Sequence, residues 1–202
     1  MGQIIVVAGY AGSGKTELAK IIAQKTRWAV VDKDTASQNF VEKLLRVTES
    51  YAGDRESALY LNEIRPIEYQ ILDNIITENM EYGSSLIVTA PYISTFETPE
   101  YWQTLRRKAK THHTTLTVIW VMSDIETMRE RINQRNSNRD THKLTHWDEY
   151  AQNIRLDLGV EHSDYIVENQ YGAPPLSTQA QEILDRIHGQ NLTSTAPRAS
   201  RP

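Results

Sequence analysis

The sequence predicts an α/β domain of three layers, a parallel sheet of five strands covered by helices on both faces, and three observations predict it. Short apolar runs at Gln3–Ala8, Trp28–Val31, Leu86–Ala90, Thr115–Met122 and Tyr165–Val167 alternate with stretches of helical periodicity, the pattern of strands joined by crossover helices. The first run is β-branched and does not alternate apolar with polar residues, as expected of a strand buried on both faces. Between that strand and the first helical stretch lies the glycine-rich run Gly9-Tyr10-Ala11-Gly12-Ser13-Gly14-Lys15-Thr16.

Each element follows in order. Glu17 to Lys25 places Leu18, Ile21 and Ile22 on one helical side. Trp28–Val31 reads as a second buried strand that delivers Asp32 and Asp34 at its carboxyl end, the edge where doubly wound sheets hold ligands. Phe40, Val41, Leu44 and Leu45 mark a helix between Ala36 and Val47, and a long periodic stretch from Glu56 to Met80 must kink or restart at Pro66, whose ring removes a backbone donor. Pro91 stops the third strand. Pro99 to His113 reads as a helix whose last half carries Arg106, Arg107, Lys108 and Lys110, suited to a solvated carboxyl end. After the fourth strand, Ser123-Asp124-Ile125-Glu126 has capping-box spacing, with Asp124 as the cap. Asn136 to His146 is polar and expected to be mobile, Trp147 to Leu158 suggests a further helix with Trp147 as its anchor, and Gln179 to Ile187 reads as the closing helix. The domain is expected over residues 1–188 with a lid at about 129–146, and 189–202 reads as a polar tail.

Composition narrows the function. A chain of 202 residues with 39% hydrophobic and 24% charged residues suits one domain with a full core. The formal net charge of −4 weighs against a general nucleic-acid binder. The absence of cysteine removes disulfides, thiolate metal sites and cysteine nucleophiles. No apolar run reaches membrane-spanning length and Met1 leads straight into a core strand, so the expectation is a cytoplasmic monomer or homodimer without membrane contact.

The glycine-rich run matches the pattern Gly, four residues, Gly-Lys-Ser/Thr. Backbone N–H groups of Gly9, Ala11, Gly12, Ser13 and Gly14 are expected to converge on phosphate oxygens, backed by the positive end of the following helix. Lys15 then reaches the β- and γ-phosphates, and the Thr16 hydroxyl faces the magnesium that bridges them. Asp32 is the second candidate for the magnesium shell, because the third strand ends Thr89-Ala90-Pro91-Tyr92 and offers no acid there. Asp34 is the candidate base for an attacking hydroxyl, and it is also able to cap the next helix.

Arg131 and Arg135 stand four apart on one helical face. With Arg139 beyond them they are candidates to neutralise the transferring phosphoryl when a lid closes; Arg129 reads as a solvated surface residue. The histidines show no metal-ligand spacing.

The phosphate loop, the Asp32-Lys33-Asp34 pair after the second strand and the arginines after the fourth together resemble the small P-loop kinases. That group includes shikimate and gluconate kinases, chloramphenicol phosphotransferase and zeta-toxin-like kinases. The resemblance covers about residues 1–188 and implies the P-loop NTPase strand order 2-3-1-4-5. It implies Asp32 on the magnesium shell and Asp34 on the acceptor hydroxyl, acceptor contacts from Arg55, Tyr60, Arg65 and Tyr92, and contacts to the base from Asn169 and Gly172 after the fifth strand. Asp54-Arg55-Glu56-Ser57, Arg65-Pro66, Ala90-Pro91-Tyr92 and Arg139-Asp140-Thr141-His142-Lys143-Leu144 are similar to AAA-type ATP-binding proteins of actinobacterial kind. The arginine and glycine-rich signatures of shikimate binding are not evident.

The expectation is therefore a phosphotransferase that uses ATP or GTP with Mg2+ on the hydroxyl of a small molecule, including an antibiotic inactivated by O-phosphorylation. A nucleoside, nucleotide, sugar or polynucleotide-end kinase and a non-catalytic nucleotide switch are the alternatives.

Overall fold

The computed structural model describes residues 2–48 and 51–194, except the side chains of 138 and 190–194. Five parallel strands, β1 (Gln3–Ala8), β2 (Ala29–Asp32), β3 (Leu86–Thr89), β4 (Thr115–Met122) and β5 (Tyr165–Glu168), form one sheet in the order β2-β3-β1-β4-β5. β1 is central, as its unbroken apolar run requires. Ile4, Val6 and Ala8 pack into one core layer and Ile5 and Val7 into the other, all fully buried.

The second layer is closed by α1 (Lys15–Thr26) and α9 (Leu176–Ser194), through Leu18, Ile22, Ala180 and Leu184. The first is closed by α3 (Arg65–Glu81) and α5 (Pro99–Thr111), through Leu72, Ile76, Trp102 and Leu105. A satellite cluster of Val41, Leu45, Tyr60 and Ile64 joins α2 (Lys33–Val47) to a π-helical turn at Tyr60–Ile64.

Several elements differ from expectation. β2 is an edge strand with Ala29 and Val30 exposed, not a buried one; four apolar residues do not reveal whether a neighbour covers them. The long stretch from Glu56 is divided into the π-helical turn and α3, with Pro66 in the first turn of α3, where the π-helical turn gives way to α-helix. A short helix, α4 (Ile93–Phe96), follows β3. The polar stretch after α6 (Ile125–Arg135) is folded into a 3-10 turn, Asn138–Asp140, and α7 (Thr141–Thr145). The next helix, α8 (Trp147–Gln152), stops well before Leu158. α9 runs on to Ser194, into the stretch expected as tail, and residues 195–202 lie outside the described residues. Among the described residues no helix is long and apolar enough to cross a membrane.

Candidate functional site

The strand order reverses between β1 and its neighbours β3 and β4, so a crevice opens at the carboxyl ends of the strands. The glycine-rich run occupies that position. Gly9 has φ 142° and a Cβ there would lie 2.4 Å from the Val121 carbonyl oxygen; Gly14 has φ 99° and a Cβ would lie 2.0 Å from Asn169 Nδ2. Only glycine meets both conditions. Gly14 also enters α1 without a side-chain cap, so the first-turn N–H groups of that helix remain available to an anion. Asn169, at the end of β5, holds the loop by donating from Nδ2 to the Ser13 carbonyl at 2.8 Å. Arg131 approaches the carbonyls of Gly12 and Ser13 at 3.4 Å.

Lys15 donates from Nζ to the Tyr10 carbonyl at 2.7 Å. Burial, with Arg135 next, pulls its pKa down to about 8 against the opposing pull of Asp34 and Asp32. Beside it, Thr16 donates from Oγ1 to Asp32 Oδ2 at 3.3 Å. The other oxygen of Asp32 accepts from the backbone N–H groups of Asp34 and Thr35 at 3.0 and 3.1 Å. Asp32, not Asp34, thus caps α2, and the capping bonds leave Oδ2 turned to Thr16. A hydroxyl and a carboxylate oxygen are the hard donors that magnesium takes alongside phosphate oxygens and water, and both fit that role here.

Asp34 lies in the same crevice with its carboxylate between Lys33, 3.1 Å away, and Arg139, with which it is ion-paired. Burial pushes its carboxyl up, but Lys33 and Arg139 outweigh burial and hold it below the usual carboxylate range. Lys33 is itself buried and donates to Glu68 Oε1 at 2.8 Å; Glu68 also accepts from the Ser37 hydroxyl at 2.5 Å and the Tyr60 hydroxyl at 2.7 Å. Neither Lys33 nor Glu68 was legible as a site residue. The only local signal was a lysine between two acids, and its partner lies 35 positions away.

From Asp34 the crevice continues into a cavity of about 380 Å³ that Lys15, Thr16, Arg55, Arg65, Arg135 and Arg139 help to line. Arg55 is stacked over the Tyr60 ring, 4.9 Å from its centroid. The segment that follows α6 borders the cavity. Arg139 ties it to Asp34, Lys143 ties it to Glu56 at 3.0 Å, and Arg135 is paired with Asp140 at 2.6 Å. Arg129 lies over Trp147, which is buried against the core as an anchor. Asp124 caps α6 by accepting from the Thr127 N–H at 2.7 Å, so it is committed to the helix.

One expected contact is corrected. Tyr92 is fully buried among Tyr69, Tyr101 and Trp102, away from the cavity lining. Its φ of 56° turns the chain there, and its N–H donates to the Tyr69 hydroxyl at 3.1 Å. Tyr60 lines the cavity as expected of an acceptor contact, with its hydroxyl donating to Glu68. Gly172, expected beside the base, has φ 83° and open space around it.

Residues 4–156 match the AAA domain family. The chain belongs to that family. The chain is 36% identical over 72 residues to the shikimate kinase of Azobacteroides pseudotrichonymphae genomovar. CFP2, a match that spans 36% of this chain and 38% of that protein. The chain therefore matches well under half the length of that curated relative. Two solved structures share the fold at low identity. The shikimate kinase of Acinetobacter baumannii, in complex with shikimate, has TM-score 0.56 at 18% identity, covering 95% of this chain and 96% of its own. A gluconokinase of Sinorhizobium meliloti 1021 has TM-score 0.56 at 17% identity, covering 96% and 98%. The resemblance to small P-loop kinases agrees with these relatives, whose fold this chain shares.

Proposed function

We propose that this protein is a small-molecule kinase that moves the γ-phosphoryl group of ATP to a hydroxyl of an acceptor in the cavity beside Asp34. The observation that carries the reading is one cavity lined by Lys15 and Thr16 of the phosphate loop and by the acidic pair Asp32 and Asp34. The kinase relatives support ATP as donor.

In the step, the acceptor oxygen attacks the γ-phosphorus and the bond to the β-phosphate oxygen breaks, releasing ADP. Asp34 accepts the hydroxyl proton. A carboxylate held ionised by Lys33 and Arg139 is a weak base, so its main work is to aim the hydroxyl, with proton transfer late. Lys15, Arg135 and Arg139 offset the charge on the phosphoryl oxygens. Bound magnesium would neutralise charge on the phosphates, held by Thr16 and Asp32. Asn169 flanks the nucleotide from the β5 end.

Arg55 and Arg65 in the cavity lining suit an acceptor that carries an acidic group as well as hydroxyls. An antibiotic or other natural product of that kind is within this class, as are sugar acids. A cavity of this volume suits a metabolite better than a polynucleotide end.

The test is phosphate transfer from ATP with Mg2+ across a panel of hydroxylated acids and antibiotics. Asp34→Asn should lower turnover about 10²–10⁴-fold with nucleotide affinity unchanged. Full transfer by that variant would refute the assignment.

A further inference from the structure

The third strand ends without an acid, yet the residue at its end is not idle. Thr89 is 1% exposed, its Oγ1 has no hydrogen-bond partner, and it lines the same cavity as Lys15, Thr16 and Asp32. A buried hydroxyl left unpaired is costly, so an orphan one beside a ligand site points to a partner that arrives with the ligand.

Its place in the sheet says what that partner is. Thr89 is in register with Asp32 on one side and Val7 on the other. Residues in register on neighbouring parallel strands share a face, and alternate residues of one strand share a face too. Ile87, two positions earlier, packs into the layer beneath α1, with Val7 and Leu18. The Thr89 hydroxyl therefore lies on the α1 side of the sheet, in one row with Asp32 and under the turn that bears Thr16. Thr16 Oγ1 and Asp32 Oδ2 already face each other at 3.3 Å.

We infer that Thr89 is a third oxygen of the divalent-cation site, a neutral hydroxyl that holds a water of the cation's shell. This rests on the nucleotide-binding reading and deepens it. A neutral oxygen there leaves Asp32 as the anionic side chain of the three, which favours a cation delivered with the triphosphate over one held by the protein alone.

The measurement is the affinity of the full chain for a fluorescent ATP analogue, without metal and across a Mg2+ titration, with Mn2+ paramagnetic resonance as a second readout of the bound cation. Thr89→Val, which keeps the shape and removes the hydroxyl, should bind the metal-free analogue as the parent does. It should lose about five- to tenfold of the gain that Mg2+ confers, the worth of one hydrogen bond. Thr89→Ser should retain that gain, and Thr89→Asp should lower the Mg2+ concentration at half-effect. An unchanged Mg2+ response in Thr89→Val overturns the inference while leaving the kinase reading intact. A parent protein that binds no nucleotide overturns both. Nucleotide binding with the expected Thr89 effect but no transfer to any acceptor overturns the kinase reading alone.

Discussion

Lys15 carries the charge on which the phosphate loop depends, and its surroundings oppose that charge until a ligand comes. Burial and the neighbouring Arg135 pull its pKa to about 8 from the ordinary lysine value of 10.5. A lysine depressed in this way destabilises the fold when protonated. That cost is full below about pH 8 and is relieved as pH rises towards the unfolded value. A triphosphate beside Nζ favours the charged form, so nucleotide binding should draw the proton back. Calorimetry in two buffers of different ionisation enthalpy should find no proton uptake at pH 7 and uptake of most of one proton at pH 9. Lys15→Met should abolish the difference, and equal uptake at both pH values in the parent would contradict it.

The elements around the acceptor cavity are joined through buried charge. Glu68 of α3 accepts from Lys33 and Ser37 of α2 and from Tyr60 of the π-helical turn, which locks three segments around one carboxylate. Removing one member of such a pair strands the other in the interior. Lys33→Met should cost about 3–5 kcal/mol in urea unfolding, whereas Lys33→Met with Glu68→Leu should recover most of it, since apolar replacements of a buried pair are often neutral. If the single and double variants lose equal stability, the pair is not what joins these elements. On the opposite wall, the 3-10 turn and α7 are tied down by Arg139 to Asp34 and Lys143 to Glu56. Arg139→Ala should speed amide hydrogen exchange in residues 138–145 and leave β1 and β4 unaltered. Uniform acceleration across the chain would mean global destabilisation instead.

At the scale of the whole molecule, two core layers lie on either face of the sheet, and the ligand crevice sits where the strand order reverses. A ligand there would meet the ends of β2 and β3 and the phosphate loop together, so it should stabilise the domain as a unit. At 100 times its dissociation constant, ATP with Mg2+ should add about 2.7 kcal/mol to the unfolding free energy. For a chain of this size that raises Tm by roughly 5–10 °C. A Tm that does not move with saturating nucleotide would mean that the loop does not bind it in the native state.

The glycine-rich loop, the alternation of strands and helices, the central place of β1 and the cap at Asp124 were all legible from the residues, because each depends on neighbours a few positions away. Spacing sets which side of a helix is apolar, and left-handed backbone angles demand glycine wherever they occur. Other features depended on which distant segments meet. Asp32 rather than Asp34 caps α2; Lys33 finds Glu68 across 35 positions; Tyr92 turns into the aromatic core; β2 is left at an edge; and Thr89 is buried in a row with Asp32. Those outcomes are settled by packing two layers against one sheet, since burial and pairing belong to the folded arrangement and not to any short run of the chain.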